Sequence, residues 1–361
     1  MSAASSNIIK FITAFFVVVI HTTAFEENLF IKTQHFFSLE FIGVVLNQAA
    51  RFSVPIFLFL SGYGLAKNFK KNKLTTRDFY LKRGTRVLLT YIFITIIFTI
   101  FINHKIHLGL FFNSNTFLSQ LKKLGFIFLT GRADYHTYFL SIIIQLYILF
   151  PILYKFRMPV IWFLFLVLNI LYTYPVYDLV KDNLFFYPYL PAFVSLPWLV
   201  YFYGGIIFVK YEELILQKIN KYSNKSILFF SCLFSLTTYS YVILEFISRS
   251  KYNPVAGNFD HFHRLSILLY SISIWWLFFI LLRKRSDHQT ENIPIYFREI
   301  SSLTFSIYLY HPSILRLLQK VDFPLKNILL SITVFSITLV IVYFIKRAQT
   351  ISIKIKMIIG V

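Results

Sequence analysis

The residues able to do chemistry in this chain are few and widely spaced. Lys10 and His21 bracket the stretch "FITAFFVVVI", ten residues without a charge. Eleven residues of α-helix make about three turns and about 16 Å. The cation and the imidazole therefore project from nearly one face of a helix. An imidazole exchanges a proton near neutral pH, so it can deprotonate a hydroxyl or itself accept an acyl group. An ionisable group inside an apolar span is costly and by default marks a site. Arg51 at the head of "RFSVPIFLFLSGYG", Gln145 in "HTYFLSIIIQLY" and His311 in "SIYLYHPS" share that setting as weaker, supporting candidates. Pro55 and the pair Gly62 and Gly64 lead us to expect a bent or broken helix there, lining a cavity.

A second kind of chemistry is suggested by "KNFKKNKLTTRDFYLKRGTR". Arg83 and Arg86 stand three apart, so both guanidiniums can point one way. Such a pair grips phosphate oxygens bidentately. Membrane topology alone also demands a basic loop, and the spacing leaves both readings open. Other groups carry less. His136, between Tyr135 and Tyr138, reads as a residue of an interfacial aromatic belt. In "DHFHR", Asp260 to Arg264, the two histidines are two apart and share no helical face. That stretch reads as a solvated outer loop rather than a metal site, and His104 and His107 read as loop residues. No zinc spacing is present, and no metal is expected. The lone Cys232 excludes an intramolecular disulfide and a cysteine-rich centre. The absence of Walker and GxGxxG patterns argues against an ATPase or dinucleotide enzyme.

The elements that must position these groups follow from composition. Of 361 residues, 57% are hydrophobic and 14% charged, and mean hydropathy is +0.66. A soluble domain carries about 25% charged residues. Long apolar runs without two-residue alternation define helices, because lipid offers backbone groups no partner. The expected fold is all-α: a polytopic transmembrane bundle of about ten spans. These fall near 8–25, 42–66, 85–103, 136–154, 159–177, 190–209, 226–246, 264–282, 300–318 and 327–345, within one membrane domain covering 1–361. Of the 36 Lys and Arg, 23 fall in one alternating set of connections and 12 in the other, with Arg51 inside a span. The positive-inside rule then places both termini in the cytoplasm. The net charge of +21 is accounted for by those connections, so no nucleic-acid partner is expected.

The ordered set of segments, rather than any one of them, carries a resemblance. Lys10 and His21 with ten residues between them come first. "RFSVPIFLFLSGYGLAK", "FYLKRGTRVLLTYI", "HTYFLSIIIQLYILFP", "GGIIF" and "SIYLYHP" follow in that order. Together, over nearly the whole chain, they resemble the membrane acyltransferase-3 family, bacterial integral-membrane O-acyltransferases that modify surface polysaccharides and other envelope glycans. The resemblance implies an essential histidine at His21 and a basic partner at Lys10, where arginine is commoner. It implies a role for Arg83 and Arg86 at the acyl-CoA end. Many members carry adjacent glutamates before the glutamine of the fourth span; here Ile143 and Ile144 precede Gln145, as in small standalone polysaccharide-modifying members.

The function so implied is transfer of an acyl group, most simply acetyl, from cytoplasmic acetyl-CoA or another acyl-CoA to a hydroxyl of an envelope glycan or lipid-linked saccharide. His21 and Lys10 are the expected catalytic pair and Arg83 and Arg86 the acyl-CoA ligands. No tightly bound cofactor is expected, and the location is the bacterial cytoplasmic membrane. The competing reading is a transporter or flippase of a polysaccharide or lipid-linked glycan, whose aromatic residues (20% of the chain) would stack on sugars.

Overall fold

The computed structural model describes residues 1–36, 38–72, 75–81, 85–106, 109, 114–173, 195–252, 262–283 and 299–348, with a few positions beyond. All regular structure among these residues is helical. Helix α1 is Ala3–Thr22, α2 is Ala24–Thr33, α3 is Leu39–Ala50 and α4 is Ser53–Asn72. A short turn of helix, α5 (Thr76–Phe79), precedes α6 (Thr85–Ile96), which runs into a π-helical segment, Ile97–Ile102. Then come α7 (Ser114–Thr130), α8 (Tyr138–Lys155), α9 (Pro159–Leu171), α10 (Leu199–Ile219), α11 (Asn224–Tyr252), α12 (Leu265–Leu282), α13 (Thr304–Lys320) and α14 (Asn327–Arg347).

Among the described residues six helical stretches are long and apolar enough to cross a membrane: Ala3–Thr22, Leu39–Lys71, Tyr138–Lys155, Asn224–Ser250, Leu265–Leu282 and Asn327–Arg347. The other four expected spans coincide with helices that are shorter or more polar. Val87–Ile102 and Pro159–Leu171 are apolar but short, while α10 and α13 carry charged residues. Large apolar side chains stand exposed along α11 and α14, among them Phe229, Phe230, Leu236, Leu329 and Phe344. Lipid is the solvent that tolerates such faces.

The chain divides into two compact units. The first comprises Met1–Ser61 and Phe208–Phe344. In it α1 packs on α3 and α13, α2 on α3, and α11 on α12. Two serine caps set where helices begin. Ser2 Oγ accepts from the Ser5 amide at 3.0 Å, and Ser38 Oγ accepts from the Phe41 amide at 3.2 Å. Each satisfies an amide that the first helical turn leaves without a partner. An aromatic core closes the other end of α4's first half, with Trp275 stacked on Phe279 at 5.5 Å and Phe59 4.4 Å from Trp275.

The expected break in "RFSVPIFLFLSGYG" occurs, but one turn ahead of the proline. The chain turns at Arg51 and Phe52, where the Arg51 amide reaches back only three residues to Gln48 O at 3.2 Å. Pro55 has no amide to offer the Arg51 carbonyl, so a continuous helix through both would forgo that hydrogen bond and crowd the carbonyl. Instead Pro55 occupies the first turn of α4, where its missing donor goes unneeded. The glycines do not break the helix, which continues through both of them. Their part is packing, described below for Gly62.

The second unit comprises Gly62–Ile207 and Ile345–Val361. Here α6, α7 and α8 pack together, and α9 lies against the 3₁₀ turn Leu196–Trp198 that leads into α10. Gly62 allows the close approach of α4 to α10: a Cβ built there would lie 2.0 Å from the Phe202 carbonyl oxygen. Between α7 and α8, Gly131 takes φ +68°, the left-handed region open to glycine. Thr137 Oγ1 then ties the turn, donating to the Gly131 carbonyl at 2.5 Å and accepting from the Asp134 amide at 2.9 Å.

Candidate active site

His21 stands in the last turn of α1, half-buried, and Lys10 lies on the same unbroken helix. The eleven-residue spacing is thus realised as helix throughout. The helix stops one residue past His21, and the two threonines that follow bind its own carbonyls. Thr22 Oγ1 donates to Val18 O at 3.0 Å and Thr23 Oγ1 to Val19 O at 2.6 Å. Thr22 Oγ1 also meets Ser331 Oγ of α14 at 2.6 Å.

The packing of α13 on α1 brings a second imidazole to the first. The rings of His21 and His311 have centroids 5.2 Å apart and planes inclined by 31°. His311 is fully buried. Its Nδ1 lies 3.0 Å from the Ile307 carbonyl oxygen, one turn back on α13. A carbonyl only accepts, so Nδ1 carries the proton and the lone pair of the neutral ring sits on Nε2. Pro312 follows directly and, lacking an amide, cannot continue the backbone ladder at that point. Sequence reasoning named both histidines but had no means of pairing them.

Arg51, expected to support the site, is buried in a polar cluster of the same unit. Its NH2 group donates to Glu27 Oε2 at 2.9 Å and its Nε to Asn47 Oδ1 at 2.9 Å, while the Phe262 ring lies 5.3 Å from its guanidinium carbon. Gln48 Nε2 donates to Glu27 Oε1 at 3.0 Å, and Gln48 Oε1 accepts from Arg264 at 2.7 Å. Glu27, Asn47, Gln48 and Arg264 were not among the expected site residues. The i, i+4 spacing of Asn47 and Arg51 was the signal available for one of them.

Arg264 and His263 correct the reading of "DHFHR" as a solvated loop: both are buried. Burial pushes the His263 imidazole down to about 3. Asp260 and His261 lie outside the described residues. Among the described residues no group of three or more His, Cys, Asp or Glu side chains is placed to hold a metal ion.

The remaining candidates belong to the second unit. Gln145 Oε1 accepts from the Ser195 amide at 3.1 Å and its Nε2 lies 3.4 Å from Ser141 Oγ, so it anchors the approach to α10. Arg86 is in the first turn of α6, and Arg83 lies outside the described residues. His136 is buried within the protein, 5.2 Å from the Phe98 ring and with Nδ1 3.5 Å from Asp134 Oδ2. His104 is an exposed residue after the π-helical segment, and Cys232 is exposed on α11.

A helical, multi-pass membrane protein with a pair of imidazoles on two packed helices is the class that this fold and site define. Residues 4–347 match the family model described as an acyltransferase domain, and the chain belongs to the acyltransferase-3 family. No curated protein and no solved structure matches it.

Proposed function

We propose that this membrane acyltransferase moves an acyl group, most simply acetyl, from cytoplasmic acyl-CoA to a hydroxyl of an envelope glycan or lipid-linked saccharide. The observation that carries the reading is the pairing of His21 with His311, set on helices that also present Lys10. In this reading ten spans cross the bacterial cytoplasmic membrane, with both termini inside. Lys10 then lies toward the cytoplasm and His21 about 16 Å further out, comparable to the length of a pantetheine arm.

The chemistry needs one proton carrier at the reacting oxygen. His21 takes the proton of the acceptor hydroxyl as that oxygen attacks the thioester carbonyl. The new C–O bond forms, the C–S bond breaks, and the proton passes to the leaving thiolate. Alternatively the His21 nitrogen attacks first and holds the acyl group until the glycan hydroxyl takes it. His311, its Nδ1–H held by Ile307, presents an Nε2 lone pair suited to orienting or relaying that proton. Arg83 and Arg86 are assigned to the phosphates of CoA, and Lys10 to a phosphate or carbonyl of the same donor.

The test supplies purified protein in lipid with radiolabelled acetyl-CoA and a glycan acceptor, and compares wild type with His21→Ala. Label on the glycan with wild type and its loss in the variant are the expected results. Transfer that survives His21→Ala overturns the role of His21. Glycan translocation without label transfer overturns the enzyme reading in favour of transport.

A further inference from the structure

We propose that Asn47 is a positioning residue for His21, held in turn by the buried Arg51–Glu27 pair. This rests on the catalytic role of His21 proposed above. Asn47 is fully buried on α3. Its Nδ2 donates to the Ile20 carbonyl at 2.9 Å and to Thr23 Oγ1 at 3.1 Å. These two groups flank His21 on either side. The Ile20 carbonyl is one of the four that the end of a helix leaves without an intrahelical donor. One amide thus fixes both the last turn of α1 and the residue at which the chain turns into α2.

The amide is itself fixed. Arg51 Nε donates to Asn47 Oδ1, which settles which end of the Asn47 side chain is the donor. Glu27 holds the guanidinium, Gln48 holds the second oxygen of Glu27, and Arg264 holds Gln48. The order Arg264, Gln48, Glu27, Arg51, Asn47, Ile20 is a single chain of hydrogen bonds ending beside His21. Each member has its orientation set by the next. A buried ion pair is a poor way to gain stability, since apolar residues of similar volume often do as well. It is a good way to fix a geometry, and reacting groups need theirs held within a fraction of an ångström.

Two other features of α3 provide a comparison. Tyr239 donates to the Val45 carbonyl at 2.7 Å, and Tyr270 to the Ala49 carbonyl at 3.0 Å. Their hydrogen bonds go to α3 carbonyls, not to Ile20 or Thr23. Tyr239→Phe therefore removes a bond of comparable strength without releasing the end of α1.

The experiment compares Asn47→Asp, Asn47→Ala and Tyr239→Phe in the full chain in lipid. Asn47→Asp keeps an acceptor for Arg51 and removes the donor to Ile20 and Thr23, so it covers the case in which Asn47→Ala does not fold. Two readouts are taken: kcat and KM for labelled acetyl-CoA, and the rate at which diethyl pyrocarbonate modifies His21, read by mass spectrometry. The expected result is a kcat lowered about 10- to 100-fold, the loss that misplacing a reacting group by about 1 Å produces. KM should stay within about twofold, the His21 modification rate should change, and Tyr239→Phe should do neither. Unchanged kcat and modification rate in Asn47→Asp overturn the proposal, as does an equal effect from Tyr239→Phe. If wild type transfers no label, the proposed function fails. The modification rate alone then decides whether Asn47 positions His21.

Discussion

The rings of His21 and His311 lie 5.2 Å apart although 290 positions separate them in the chain. His311 has its Nδ1–H bound to Ile307, so the proposed acid–base role and the structural anchor would use different nitrogens. The two can be separated by substitution. His311→Asn retains a donor near the place of Nδ1 and removes the ring nitrogen that faces away from it. We expect this variant to fold as wild type does, while acyl transfer falls by about 10² to 10⁴, the usual range for a lost acid–base group. His311→Ala should lose both transfer and thermal stability. Steady-state transfer of labelled acetyl, alongside melting of the detergent-solubilised protein, checks this; near-wild-type transfer by His311→Asn removes His311 from the chemistry.

Gly62 and Gly64 look interchangeable in "SGYG" and are not. A Cβ at Gly62 would lie 2.0 Å from the carbonyl oxygen and 3.0 Å from the carbonyl carbon of Phe202, both backbone atoms that cannot turn aside. A Cβ at Gly64 would meet nothing within 4 Å. Gly62→Ala must push α4 and α10 apart at their contact, at a cost of about 1–3 kcal/mol or more. Gly64→Ala should be neutral or stabilising by up to about 1 kcal/mol, because alanine suits a helix better. Thermal unfolding followed by size-exclusion chromatography distinguishes them, and equal behaviour of the two variants would discount the close approach.

What could be read in advance follows the range of the interactions. The alignment of Lys10 with His21 needed only the pitch of one helix, and α1 realises it. The helical class needed only long apolar runs. Asn47 and Arg51 share a helical face, so their bond was within reach of the same arithmetic. Glu27 was not, because the stretch between the first two expected spans folds as α2, whose buried face is visible only once α3 packs on it. The burial of His263 and Arg264 also escaped composition: "DHFHR" is as polar as any loop, and it is Gln48 on α3 that takes Arg264 inside. The distant pairing of His311 with His21 depends on α13 packing on α1, which no local pattern encodes.

The Glu27–Arg51 pair should behave as a unit. Both side chains are more than nine-tenths buried. Arg51→Met leaves the Glu27 carboxylate in the interior without its guanidinium, which for a buried pair costs about 3–5 kcal/mol. Replacing both, with Glu27→Leu and Arg51→Met together, removes the orphaned charge and should cost clearly less than Arg51→Met alone. A double-mutant cycle on thermal stability measures the coupling. Additive losses would show that the two residues act independently. Even where the double variant is as stable as wild type, its acyl transfer should remain low, because Asn47 has lost its guide.

His263 gives the stability of the fold a pH dependence whose direction can be worked out. Burial pushes its imidazole down to about 3 in the folded chain, and the unfolded chain returns it to about 6.5. Between those values the unfolded state binds a proton that the folded state does not, so stability falls as the pH drops. This contribution is fully present above about pH 6.5 and is lost progressively as the pH falls toward about 3. Over that window one such group changes stability by at most about 1.4 kcal/mol per pH unit. His263→Gln cannot take up the proton and should flatten the curve there. Melting temperatures of wild type and His263→Gln at pH 7.5, 6, 5 and 4 should therefore diverge with acidity, wild type falling the faster. Parallel curves would mean that His263 is protonated at an ordinary pH, against its burial beside Arg264.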